Sequence, residues 1–507
     1  MFNLELLAFI VYFAAMLAIG FVFFLKSRKT SGEKEYFLGG RGMGPYVTAM
    51  SAQASDMSGW LLMGLPGSIL AFGLGQAWIG IGLAIGTAAN WIFVAKRLRK
   101  FSAAAGDSIT LPQYLSNRFA TKGKALQVIC AIIFLVFFTV YVASSFVAGA
   151  SVFSTVVPGL TNELALIIFA IILIAYTFLG GFKAVCWTDF FQGLLMLVAV
   201  LAIPIVILFT QNLDMSALTN VYSYTEAGAE VSCNFTANLF AADWKEIASG
   251  LAWGLGYFGM PHILVRFMSI KKASMMKKSA VVAIAWVVLS LGAVIVIAVL
   301  GRMLVGEELL TAGNQKLVFI ALARKLFSGP WAFIAGLLMS AIIAAAMSTA
   351  DSQLLVASSS FTSDIYKPII RKNASDKEVM WIGRVTVLVV AIVAYFIASS
   401  KASGAQAIMN MVENAWAGFG SAFGPVVILS LFWKRITYKG AVAGVAVGAI
   451  VDVCWLLWLS APTGIYELLP GFIAGLIACV AVSLIDKKPS DEVVAIYDRA
   501  MSAEFEN

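Results

Sequence analysis

Asp56 is the residue of this chain whose chemistry is hardest to account for as packing. It stands in the run Ser51, Ala52, Gln53, Ala54, Ser55, Asp56, Met57, Ser58, Gly59, Trp60, followed by Gly64, Pro66 and Gly67, within a mostly apolar stretch. A carboxylate at membrane depth costs several kcal/mol unless it is paired, hydrated or protonated, which makes it a functional candidate. The residues alone also permit an architectural role, as a half-helix cap or the partner of a basic side chain. A second run of the same kind reads Trp253, Gly254, Leu255, Gly256, Tyr257, Phe258, Gly259, Met260, Pro261, His262. Glycine weakens a helix by roughly 1 kcal/mol and an internal proline by about 3 kcal/mol, so both runs predict helix breaks. In lipid a break is tolerable only where the freed backbone groups find partners. Unwound carbonyls suit a cation, and half-helix N-termini suit an anionic carboxylate.

Three further stretches carry polar groups of interest. Ala344 to Ser352 sets Ser348, Thr349 and Asp351 beside small residues, an arrangement that suits sodium, a hard cation preferring oxygen ligands, and equally suits plain helix packing. The segment 180–193, GGFKAVCWTDFFQG, places Lys183 at a turn and Asp189 with Gln192 just inside the next helix, where Asp189 reads as an ion ligand, a gate element or an ordinary cap. Tyr141, Trp253 and Tyr257 lie near mid-span and are able to line a solute pocket, although aromatic residues at such depth more often pack or form interface belts. Gly254, Gly256 and Gly259 match GxGxxG, but no strand precedes them and a dinucleotide site is rejected.

The elements that must position these groups are membrane helices. Of 507 residues, 61% are hydrophobic and 12% charged, more apolar surface than a soluble core of this size hides. Thirteen stretches approach the roughly 20 residues needed to cross about 30 Å of hydrocarbon. They run 4–25, 45–71, 75–95, 125–154, 164–180, 186–210, 247–265, 280–301, 331–358, 380–398, 406–433, 440–459 and 466–485. The first lacks a basic start and a small-residue cleavage site, so it is expected to be a retained helix rather than a signal peptide.

The net charge of +8 is explained by placement rather than by nucleic acid. Alternate loops gather 28 of the 35 Lys and Arg residues, among them Lys26, Arg28, Lys29, Lys34 and Arg41, the cluster 96–100, Arg118, Lys122, Arg266 and Lys487. The other side holds Lys245, Arg302, Lys316, Arg324, Lys325 and Lys401, and Arg384 lies inside a span. By the positive-inside rule the N-terminus is outside and the C-terminus cytoplasmic, in a bacterial-type inner membrane. Five scattered cysteines without a CxxC pair and a single histidine, His262, indicate neither a disulfide framework nor a histidine-built metal or catalytic centre. No GxxxxGK[ST] loop and no soluble catalytic domain is present, which argues against an enzyme or ATP-driven pump and for an ion or solute gradient as the energy source. The polar external loop 211–244 and the tail 487–507 complete the map. Counted from the second helix, each broken segment leads a group of five: 45–210 and 247–433, with 4–25 before them and 440–485 after. That spacing is the pattern of a five-plus-five inverted repeat.

These segments resemble the sodium/solute symporter family, closest to its sodium/proline branch, along nearly the whole chain. The likeness is carried by EYFLGGRGMGP at 35–45, SAQASDMSGWLLMGLPG at 51–67, GGFKAVCWTDFFQG at 180–193, WGLGYFGMPHILVRFM at 253–268 and AAAMSTADSQLL at 344–355. The resemblance implies an all-α LeuT-like fold with one extra N-terminal and two extra C-terminal helices. It implies Na+-coupled uptake of L-proline, with Na+ as the one bound metal and no organic cofactor, nucleic acid or obligatory protein partner. Carried over residue by residue, it assigns sodium to the carbonyls of Ala54, Met57 and Ala345 and the hydroxyls of Ser348 and Thr349. Asp56 would support sodium affinity and Arg41 coupling, while Asp189 keeps the ion or gate role read from its own segment. Proline would meet Ser58, Gly59, Tyr141, Trp253, Tyr257 and Pro261. Some relatives with a second sodium carry a hydroxyl where Asp351 stands, so a single sodium is the expected stoichiometry. The alternatives are Na+- or H+-coupled symport of another small carboxylate-bearing solute, or a sensor that does not transport.

Overall fold

The computed structural model describes residues 3–27, 32–121, 123–179, 181–226, 229–400, 405–502 and 505. Of the positions named above, Arg28, Lys29, Lys122, Gly180, Lys401 and the end of the tail lie outside these, as does the side chain of Lys26. The described chain is helical apart from one hairpin, Tyr222–Glu226 paired antiparallel with Ala229–Cys233. Exposed side chains on the long helices, such as Ile10, Phe93, Val136, Ile171, Phe209, Phe396 and Ile477, are apolar, as a surface facing lipid tails requires.

Ten helices among the described residues are long and apolar enough to cross a bilayer. The count of thirteen is therefore not confirmed, and the shortfall has a physical origin. The expected span 45–71 is interrupted between Pro45–Asp56 and Trp60–Phe72, and 247–265 divides into Trp244–Ala252, a 3-10 turn Trp253–Phe258 and Pro261–Ser269. The region expected at 164–180 forms a shorter apolar helix from Asn162. Elsewhere boundaries move outward: the helix expected at 280–301 runs Met276–Thr311.

Both breaks follow from backbone chemistry. Pro45 and Pro261 each sit at the start of a helix, where a missing N–H costs nothing, whereas Pro66 lies inside Trp60–Phe72, just after its π-helical turn Trp60–Gly64. The first half-helix ends because Met57 leaves helical geometry at φ −84°, ψ 79°. Around the second break, glycines bring backbones into contact. A Cβ on Gly82 would lie 2.3 Å from the Gly250 carbonyl oxygen, and one on Gly86 would lie 2.2 Å from that of Gly254. This four-residue spacing on two facing helices is a small-residue seam of the kind that joins membrane helices.

At the centre runs Ala332–Ser359, buried without interruption from Leu338 onward, against Leu4–Ser27, Ala125–Val156 and Phe182–Thr210. Its alanines and serines permit that close approach. Of the loop expected at 211–244, the described residues hold the two strands of the hairpin, and Arg302 ties them to the helices by donating to the Cys233 carbonyl at 3.1 Å and to that of Leu70 at 3.0 Å. The tail likewise forms a helix, Asp491–Met501, held by Arg118 on the Val493 carbonyl at 3.1 Å and by Lys434 on Asp498 at 2.7 Å. Arg99, Arg118, Arg266 and Arg302, counted from the sequence among loop cations, are all buried.

Candidate functional site

The first half-helix points its C-terminal end into the protein interior. The last carbonyls of a helix lack intrahelical donors and carry the negative end of its dipole, so this end favours a cation. Ala54 is one of those carbonyls, and it accepts from the Ser348 hydroxyl at 2.7 Å. The same hydroxyl lies 3.3 Å from the Ala345 carbonyl. Three of the five oxygens named for sodium thus meet across two helices 294 residues apart in sequence. The Thr349 hydroxyl is fully buried one residue further on, with no hydrogen-bond partner in the structure. Met57 closes the half-helix, its N–H donating to Gln53.

Asp56 links the two breaks. Its Oδ2 accepts from the Tyr257 hydroxyl at 2.5 Å, while Oδ1 is buried without a partner. The Ser58 and Tyr141 hydroxyls are likewise buried and unpartnered. Ser58 donates its N–H back to the Asp56 carbonyl at 3.0 Å, and Gly59 approaches helix Ala125–Val156 so closely that a Cβ would lie 2.5 Å from that of Ala148. Pro261 starts the second half-helix, whose N-terminal N–H groups favour an anion. Carbonyl ends for a cation and an N-terminal end for a carboxylate therefore sit within one buried region.

Trp253 packs beside this arrangement. Its ring stacks on Tyr466 at 5.2 Å between centroids, and its carbonyl accepts from Trp416 Nε1 at 2.8 Å. Trp416 in turn stands edge-on to Tyr257 at 5.0 Å. Trp416 and Tyr466 were not singled out from the sequence, because one aromatic residue in an apolar span looks like any other.

Three named residues lie apart from this group. Asp189 is held by Arg266 at 3.1 Å and by Ser51 Oγ at 2.6 Å, and Arg266 also bonds Ser352 and, at 2.6 Å, the His262 carbonyl. This ion pair is fully buried and joins the first half-helix, the second half-helix, Phe182–Thr210 and Ala332–Ser359. Asp351 lies at its margin, accepting from Ser352 at 3.3 Å, with its other oxygen unpartnered. Arg41 lies farther off, on Asp107 at 2.7 Å, the Ser102 hydroxyl at 3.1 Å and the Met268 carbonyl at the end of the second half-helix. Against the upward push of partial burial, Lys34 and Arg41 hold the Asp107 carboxyl below its ordinary value.

Comparison with known proteins bears on the family and the fold. The chain is 44% identical over 511 residues to the sodium/proline symporter of Haemophilus influenzae, covering 99% of this chain and 98% of that protein. It is 43% identical to the sodium/proline symporter of Escherichia coli, covering 96% and 94%. It is also 43% identical to a high-affinity proline transporter of Bacillus subtilis, covering 94% and 97%. Among solved structures, a Na+-coupled sialic acid symporter in a substrate-bound outward-open state superposes with a TM-score of 0.73 at 21% identity, covering 96% of this chain and 99% of that one. A nucleobase-cation-symport-1 family transporter in a closed conformation gives 0.57 at 15% identity, covering 92% and 98%. These two support the all-helical LeuT-like fold. The model of the sodium:solute symporter family matches residues 36–448, and the chain belongs to that family, a family of transporters and not of enzymes.

Proposed function

We propose that this protein carries L-proline into the cell together with Na+, by alternating access around the two breaks. The observation that carries the reading is the meeting of Asp56, Tyr257, Ala54 and Ser348, which places a carbonyl end and a half-helix N-terminus in one buried region. The names of the relatives supply the solute.

In this reading Na+ is cargo, taken by the carbonyls of Ala54, Met57 and Ala345 and the hydroxyls of Ser348 and Thr349. Asp56 lends negative charge beside it. Ser58, Gly59 and Pro261 receive the polar atoms of proline, and Tyr141, Trp253 and Tyr257 enclose its ring. Arg41 and Asp189 act from outside the site: each touches the second half-helix, Arg41 at its Met268 end and Asp189 through Arg266. Both are positioned to relay movement of that half-helix. The repeats 45–210 and 247–433, thirteen crossings that include the broken segments, and an external N-terminus with a cytoplasmic C-terminus complete the proposal. The placement of 28 of 35 basic residues in alternate loops supports that orientation.

Uptake of labelled L-proline into liposomes holding the purified protein, with and without an inward Na+ gradient, tests the function. Accumulation should require the gradient. Equal uptake in both conditions overturns the proposal.

A further inference from the structure

His262 is the single histidine of the chain and is completely buried, yet neither of its ring nitrogens has a hydrogen-bond partner in the structure. A buried polar side chain without partners carries an uncompensated desolvation penalty, so a position that keeps one calls for an explanation. The ring lies at the second break, one residue after Pro261. It makes edge-type contacts with the rings of Phe138, at 5.8 Å between centroids, and Tyr141, at 6.5 Å and perpendicular. The Ser55 carbonyl of the first break lies beside it, outside hydrogen-bond geometry. In the same region the Tyr141 and Ser58 hydroxyls, which lie beside each other outside hydrogen-bond geometry, and one Asp56 oxygen are also buried without partners. These orphaned groups come from three elements, and they differ in kind: two hydroxyls and an imidazole N–H can donate, and a carboxylate oxygen and the bare imidazole nitrogen can accept.

We propose that His262 is a substrate-recognition residue: its unprotonated ring nitrogen accepts a hydrogen bond from the secondary ammonium of the bound imino acid. Its N–H faces the Ser55 carbonyl, a neighbour that selects which nitrogen stays bare. The donors Tyr141 and Ser58 are then left for the carboxylate. The role rests on the reading of this region as a proline site and adds to it a group that reads nitrogen. An apolar pocket tells a ring with nitrogen from one without it only weakly, whereas an acceptor built for the N–H rejects the analogue that lacks it.

The test uses purified full-length protein in liposomes with Na+ saturating. Competition against labelled L-proline is measured with unlabelled L-proline and with tetrahydrofuran-2-carboxylate, which has oxygen in place of the ring nitrogen. Wild type should prefer proline strongly. His262→Phe, which keeps the aromatic packing, should lose at least about tenfold of that preference, with the Na+ concentration for half-maximal uptake unchanged. His262→Gln, which restores an acceptor, should keep the preference within about threefold. If His262→Phe discriminates as wild type does, or if His262→Gln loses as much preference as His262→Phe, the role is overturned. Should His262→Phe fail to fold, His262→Leu, which also lacks an acceptor, takes its place with the same expected loss of preference, and discrimination as in wild type overturns the role. Absence of Na+-driven proline uptake in wild type is a separate result, and it removes the proline reading itself.

Discussion

The two helix breaks are built differently. The first is abrupt: helix gives way at Met57, and what surrounds it is polar, with Ala54 on Ser348, Asp56 on Tyr257, and Ser58 unpartnered. The second unwinds gradually through Trp253–Phe258, and glycines packed on other backbones and aromatic rings surround it. Hydrogen-bonded oxygens can exchange one partner for an ion at little cost, whereas close-packed backbone has few alternatives. The first break is therefore suited to binding a cation, and the second to closing over a solute.

The largest expected effect lies at the first break. Removing one partner of a buried charged pair typically costs about 3 to 5 kcal/mol, so Asp56→Ala should raise the Na+ concentration for half-maximal proline uptake by roughly 100-fold or more. An unchanged Na+ requirement would assign the cation elsewhere. At the second break the outcome should be structural. A Cβ at Gly256 would lie 1.9 Å from Trp416 Nε1, so Gly256→Ala should destabilise by about 1 to 3 kcal/mol, lowering the thermal unfolding midpoint and uptake together. The Na+ requirement of whatever protein remains folded should not move. Ser348→Ala removes one hydroxyl and should raise the Na+ requirement by about tenfold, read by the same uptake assay. The smallest effect belongs to the Asp107 cluster. Because the folded carboxyl titrates below its ordinary value, its stabilisation is complete above the ordinary carboxylate range and is lost as pH falls through the lowered value. The unfolding midpoint of wild type should lose this contribution only below about pH 4, and Asp107→Asn should abolish that acid-side step by lowering the midpoint slightly across pH 5 to 8, where the carboxylate otherwise contributes in full.

Much of the first break was legible in the chain, because glycine, proline and a lone carboxylate in an apolar run are local signals. The oxygens of Ala54, Ala345 and Ser348 followed from family resemblance, and the structure brings them together. The Asp56 to Tyr257 bond was not legible, since it spans 201 residues and depends on how two interrupted helices cross. Arg266 misled for a related reason. It lies near a helix end rich in cations, so charge counting put it in a loop, whereas Asp189, Ser51 and Ser352 supply the partners that let it be buried. The glycine seam did leave a signal, Gly82 and Gly86 against Gly250 and Gly254 at matching intervals, but the pairing of those intervals exists only once the helices meet.

That seam has a mechanical consequence. With carbonyl oxygens lodged against facing α-carbons, the two helices have no side-chain layer to shear, so Ala77–Ala89 and Trp244–Ala252 form one stiff lever. Spin labels on the outer faces of this pair should report one fixed separation whether or not Na+ and proline are present. Labels placed one on the lever and one on Asp376–Ser400 should report a change of distance through the cycle.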